Sequence, residues 1–194
     1  GKLEGINITC AAQNFDFIGG SVGAASGEAI IAAVQNAINN KTPLISFSSS
    51  GGQRMMEASI ALMQMPRTII AIKELKKERL PYIVVFCNPT TGGVSASWAG
   101  ISDIAIGEPK STIGFAGRRV IQNTIGSTES LPEDFQTAES VLKHGRLDMI
   151  VERKNLRSTI SNIIKILLKI EEKNINAHDS NVVKIEDPLR KSTA

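Results

Sequence analysis

Tyr82-Ile-Val-Val-Phe-Cys-Asn-Pro-Thr-Thr-Gly-Gly-Val-Ser-Ala-Ser-Trp-Ala-Gly100 joins an apolar run, "YIVVFC", to two adjacent glycines and a series of small residues, "GGVSASWAG". The run is expected to be a strand, and "VSASWAG" the start of the next helix. Residues this small contribute little to a core, so their place between two elements asks for another reason.

The same order recurs outward along the chain. Upstream, "GEAIIAAVQNAINN" (27–40) carries Ile30, Ile31, Val34 and Ile38 at helical spacing and ends before Thr42-Pro43. "LISFSSS" (44–50) is a short strand, and "GGQRMMEASIALMQM" (51–65) returns to helix, with Pro66 expected to kink or interrupt it. Downstream, "SDIAIGEPKSTIGFAG" (102–117) is expected to form two short strands leading into a helix at "RRVIQNTI". "DMIV" (148–151) is a last strand before a long helix striped by Leu156, Ile160, Ile163, Ile164, Leu167 and Ile170. Alternating strands and helices predict an α/β fold with crossover helices over the sheet, in units close to β-β-α. Both glycine pairs fall where strand hands over to helix, the place where such folds bind ligands.

Composition narrows the class. The 194 residues, 42% of them hydrophobic, suit one domain with a real core, expected over 1–170, followed by a polar and loosely held tail over 171–194. No apolar run reaches membrane-spanning length and the first ten residues lack the apolar core of a signal peptide, so an intracellular protein is expected. Cys10 and Cys87 stand far apart without metal-ligand spacing, and are expected to be free thiols that behave as small hydrophobes. A net charge of +3 and 4% aromatic residues weigh against a nucleic-acid surface.

Each motif has a plain and a chemical reading. Gly51-Gly52 either makes a turn with Ser50 as cap, or leaves the N–H groups of the following helix open to an anion. Nothing matches a nucleotide P-loop. Gly92-Gly93 either makes a tight turn or allows a ligand oxygen close to two successive backbone N–H groups, as an oxyanion hole does. A nucleophilic Ser95 or Ser97 would need a base. Of the two histidines, His144 reads as a helix C-cap and His178 lies in the polar tail; a lysine base stays open. Glu57 is expected to pair with Arg54, three residues before it, and Asp103 and Glu108 to be strand-boundary residues. The Met-rich face "MMEASIALMQM" is expected in core or interface packing.

Taken in order, "FDFIGGSVGAASGEAI", "FSSSGGQRMMEASIALMQM", "LPYIVVFCNPTTGGVSASWAG", "DIAIGEPKSTIGFAGRRVI" and "LPEDFQTAESVLKHGRLDMIV" resemble the β subunits of the carboxyltransferase component of bacterial and plastid acetyl-CoA carboxylase. The likeness covers about residues 1–170 and implies a crotonase-like (ClpP/crotonase) spiral of β-β-α units. It also implies transfer of a carboxyl group from N1-carboxybiotin, carried on the biotin carboxyl carrier protein, to acetyl-CoA, giving malonyl-CoA for fatty-acid synthesis.

That chemistry asks little of side chains. Carboxybiotin gives up CO2 when charge developing on its ureido oxygen is stabilised, biotin itself then takes the acetyl proton, and the thioester enolate needs a second oxyanion hole. In this family one hole comes from the β subunit and the other from an α subunit, in an expected α2β2 assembly. By motif match the β-side pair is Gly92-Gly93, with the N–H of Gly93 or Val94 as donor to the ureido oxygen. Gly51, Gly52 and Arg54, with Gly114, Phe115, Ala116 and Gly117, resemble segments that line or shape the CoA side of the cleft. The four-cysteine zinc ribbon common at the family's N-terminus has no counterpart, so neither zinc nor a nucleic-acid contact is expected of this chain. Where the family has "GFAGPR" this chain has "GFAGRR", which places Arg118 toward solvent or a CoA phosphate. The resemblance implies the bacterial cytoplasm, or a plastid stroma. Three rivals remain: a crotonase-like acyl-CoA hydratase, a serine peptidase of related fold using Ser95 or Ser97, and a non-enzymatic CoA-binding chain.

Overall fold

In the computed structural model, residues 1–125 and 131–170 are described, except for the side chains of Arg118, Arg119, Gln122 and Ile125. The tail expected over 171–194, with His178, lies outside them, as does the Arg118 side chain.

A hairpin of β1 (Lys2–Leu3) and β2 (Ile6–Asn7) precedes a five-stranded, all-parallel sheet of β3 (Thr9–Ala12), β4 (Leu44–Ser50), β5 (Tyr82–Thr90), β6 (Ile104–Gly107) and β7 (Met149–Ile150), paired in chain order. The quoted run is its central strand. Tyr82, Val84 and Phe86 join the core under the helices α1 (Ala24–Asn40) and α2 (Ala58–Lys77), while Ile83 and Val85 join Leu156, Ile160 and Ile164 of α5 (Arg153–Leu167). Burial on both faces explains an apolar run without alternation. Helices α3 (Arg118–Ile125) and α4 (Ala138–Lys143) complete the order.

The second strand of each expected β-β-α unit shrinks to single bridges: Val22 with Gln53, and Thr90 with Ile113, both parallel. Hence 102–117 holds one strand, β6, and the expected second is only the bridged Thr112 and Ile113.

Three other expectations are corrected. Pro66 does not interrupt its helix: α2 runs from Ala58 to Lys77 through it. An interior proline costs about 3 kcal/mol, and the buried stripe of Ala61, Thr68, Ile72 and Leu75 on both sides outweighs it. That helix also begins at Ala58, behind a 3-10 turn at Met55–Glu57, and not at Gly51. "VSASWAG" is no α-helix either, but a run of turns ending in a 3-10 helix at Ala99–Ile101. Neither glycine pair therefore lies at an α-helix N-terminus, and no helix dipole acts on it.

The acidic boundary residues tie elements together. Asp103 accepts the Tyr82 N–H at 2.9 Å and pairs with Lys76 at 2.6 Å. Glu108, almost fully buried, holds Arg153 at the start of α5 through two bonds of 2.6 and 3.0 Å.

Candidate functional site

The two glycine pairs meet. Thr91 N–H donates to Ser50 O at 2.9 Å, which brings the end of β5 against the end of β4. Gly92 has φ of 67°, and a Cβ there would lie 2.9 Å from Gly52 Cα and 3.0 Å from Gly51 O. Gly52 has φ of 115°, and a Cβ there would lie 3.3 Å from the Gly93 nitrogen. Two backbones touch, and only glycine permits it.

The turn is fastened from below. Gly92 N–H donates to Phe115 O at 2.7 Å and Gly114 O at 3.2 Å. Ser95 Oγ donates to Gly114 O at 2.7 Å and Gly92 O at 3.0 Å. Gly92 is thus consumed as a donor, whereas the N–H groups of Gly93 and Val94 meet no acceptor among the described residues. The same holds for the N–H of Gln53, which the sequence reading missed; no residue-type signal marks it, because the donor is backbone. The Val94 side chain is buried in the core, so its main chain is held while its N–H stays free.

Beside the turn opens a cavity of about 330 Å³, with Ser95, Ala96, Gly114, Phe115 and Arg146 among its lining residues. Among the described residues, none that lines it is a carboxylate or histidine. Phe115 is 69% exposed at its edge, Ala116 is held through its carbonyl by Gln136 Nε2 at 2.8 Å, and Gly117 O accepts the N–H groups of Val120 and Ile121 in α3 at 2.9 and 3.2 Å.

Arg54 stands apart from that cavity. Its guanidinium donates to Glu57 Oε1 at 2.8 Å and Ser21 O at 2.9 Å, and Nε to Ser21 Oγ at 3.1 Å. Glu57 in turn accepts the Ala24 N–H at 2.7 Å, the cap α1 otherwise lacks. That backbone bond, helped by Arg54, holds the Glu57 carboxyl below its usual pKa. The expected pairing of Glu57 with Arg54 is present, and it spends the arginine's donors on fastening α1 to the Gly51-Gly52 loop.

The serines are placed unlike nucleophiles. Ser97 is 1% exposed and its Oγ has no partner among the described residues, and Ser95 Oγ straps two carbonyls. His144 caps α4, its Nδ1 2.7 Å from Ser140 O. Both cysteines are free, and burial above all pushes the Cys87 thiol up to about 12.

The chain is 54% identical over 169 residues to the acetyl-coenzyme A carboxylase carboxyl transferase subunit beta of Bartonella quintana (strain Toulouse), covering 87% of this chain and 55% of that protein. It is 53% identical over 169 residues to the protein of the same name in Bradyrhizobium sp. (strain ORS 278), covering 87% of this chain and 54% of that one. The chain thus spans about half the length of the curated relatives it matches. Among solved structures, a Pseudomonas malonate decarboxylase hetero-dimer superposes with a TM-score of 0.75 at 24% identity, over 86% of this chain and 74% of that one. The transcarboxylase 12S core with methylmalonyl-coenzyme A bound gives 0.68 at 25%, over 79% of this chain and 30% of that one. The fold is that of crotonase-like carboxyltransferases. Residues 1–194 match the family described as carboxyl transferase domain, and the chain belongs to that family.

Proposed function

We propose that this chain is the β-type half of an acetyl-CoA carboxylase carboxyltransferase, which moves a carboxyl group from N1-carboxybiotin on its carrier protein to acetyl-CoA and forms malonyl-CoA. The observation that carries this reading is that, among the described residues, the N–H groups of Gly93 and Val94 are unpaired on a turn beside a cavity lined without a carboxylate or imidazole. Such a site can stabilise an oxyanion but offers no side-chain base at its wall. Carboxybiotin, when bound, supplies both the carboxyl group and the proton acceptor, so a wall without a base suits it.

The chain's own residues then have defined tasks. Gly93 and Val94 donate to an oxygen that gains negative charge, the ureido oxygen in this reading; two fixed donors stabilise it more in the transition state than in the ground state. Gly52 keeps the Gly93 nitrogen uncovered, and Ser95 with the Gly114–Gly117 segment holds the turn while lining the acyl side. The second oxyanion hole belongs to an α subunit of similar fold, and the reaction takes place in the bacterial cytoplasm or a plastid stroma. A hydratase would need carboxylates to handle water at the cavity, and a peptidase would need an accessible serine with a base; the geometry favours neither. Mixing the chain with an α subunit and measuring biotin-dependent decarboxylation of malonyl-CoA tests the reading. Activity only in the mixture supports it; hydration of an enoyl-CoA by the chain alone, or labelling of Ser95 or Ser97 by a fluorophosphonate, would replace it.

A further inference from the structure

We propose that Gln136 is a positioning residue that sets the aim of the Gly93 and Val94 N–H groups through the 113–116 segment. This rests on the oxyanion reading of those groups. Gln136 has φ of 64°, a left-handed conformation uncommon outside glycine and asparagine. From that conformation it grips the segment three times. Its backbone carbonyl accepts the Ile113 N–H at 2.8 Å, its Nε2 donates to Ala116 O at 2.8 Å, and its amide occupies the space beside Gly114, where an added Cβ would come within 2.4 Å of Nε2.

The opposite side of the same segment bears on the catalytic turn. Gly114 O and Phe115 O receive the Gly92 N–H, and Gly114 O also receives Ser95 Oγ. Gln136 therefore presses on one side of a strut of four residues whose other side fixes the residue before Gly93. Its remaining oxygen, Oε1, is buried without a partner among the described residues. A left-handed backbone and an unsatisfied amide oxygen are two local penalties at one residue, and such violations gather where geometry serves a site. Small displacements of a donor cost large factors in rate, so a loosened strut should lower turnover more than binding.

The test uses the complete chain with an α subunit. Gln136→Leu keeps the bulk and loses the donor; kcat for malonyl-CoA decarboxylation is expected to fall about tenfold or more, with KM changed less than about twofold. Gln136→Glu should be impaired at neutral pH, where its carboxylate faces the Ala116 carbonyl, and should regain turnover as pH falls and the protonated acid donates to that oxygen. A residue needed only for folding would give no such pH rescue. Amide hydrogen exchange of the 90–97 segment in each variant supplies a readout that needs no partner and no activity: faster exchange there in Gln136→Leu supports the strut. Loss of decarboxylation in the unmutated complex would remove the oxyanion reading without touching the exchange result. Unchanged kcat and unchanged 90–97 exchange in soluble Gln136→Leu would overturn the proposal; should that variant fail to fold, an unaltered pH profile and exchange in Gln136→Glu would do so.

Discussion

Gly92 and Gly93 are neighbours with different reasons to be glycine. At Gly92 the reason is conformational: φ of 67° and a backbone 2.9 Å from where its Cβ would stand. Gly92→Ala should therefore cost about 1–2 kcal/mol from the left-handed conformation alone, plus displacement of the Gly51-Gly52 loop, and thermal unfolding followed by circular dichroism should show it. At Gly93 a Cβ meets Gln53 Cγ at 2.7 Å and Met65 Sδ at 2.9 Å, the movable parts of side chains. Gly93→Val should fold, with a stability loss of about 1–3 kcal/mol for overpacking. Valine keeps the backbone N–H, but the turn must shift to seat its side chain against Gln53 and Met65; with the donor moved off its aim, turnover in the complex with an α subunit should fall on the order of a hundredfold, about 3 kcal/mol. A near-normal rate would exclude Gly93 from the hole. Ser97→Ala should retain activity within about tenfold and be no less stable, because it deletes a buried hydroxyl that has no partner. Glycine pairs were visible as motifs from residue types alone. Their division of labour was not, because it depends on which backbone each one faces.

Among the elements, α1 shows how a helix start can be completed from elsewhere in the chain. Its N-cap is Gly23, without a side-chain acceptor, and Glu57 supplies the missing bond from 33 residues away while Arg54 holds Glu57 in place. Because the folded carboxyl titrates below its ordinary value of 4.5, its stabilisation is complete above that pH and is lost as pH falls through the lowered value. Glu57→Gln should lower Tm at neutral pH, with the gap to the parent closing as pH drops below 4.5; a gap that persists into acid would show that the charge is not what matters. Periodicity had located α1, α3 and α5 to within a few residues, but placed α2 over 51–65 where it runs from Ala58 to Lys77. It misjudged Pro66 and the "VSASWAG" helix for related reasons. Local preference disfavours proline within a helix and permits helix in a small-residue run, yet α2 has a buried stripe to hold it and the run after Gly93 has main-chain carbonyls bound by Ser95 and the turn instead.

At the scale of the whole molecule, the helix after the first glycine pair is apolar on a face that the sheet does not use. Met55, Met56, Ile60, Met63 and Ile70 are exposed, so the Met-rich stretch serves a surface more than the core, and large apolar side chains exposed together on one stretch suit an interface. Under the proposed function the isolated chain should bind CoA weakly and turn over hardly at all. Ile60→Glu with Met63→Glu should leave its circular dichroism unchanged while weakening association with an α subunit in sedimentation. Robust turnover by the chain alone would defeat the half-site reading, and undiminished association would move the interface elsewhere. What this sequence determined by itself was the alternation of strands and helices from α1 onward in outline, without β1, β2 and β3, together with the two glycine loops and the family, because periodicity and extended motifs are properties of the chain read in one dimension. Only the tertiary structure decided that the two loops are one contact, that Gly92 spends its N–H while Gly93 and Val94 keep theirs, and that Arg54 and Glu57 fasten a helix. Those facts depend on which backbone groups find partners, and a backbone N–H is the same in every residue but proline until the fold brings an acceptor to it or leaves it bare.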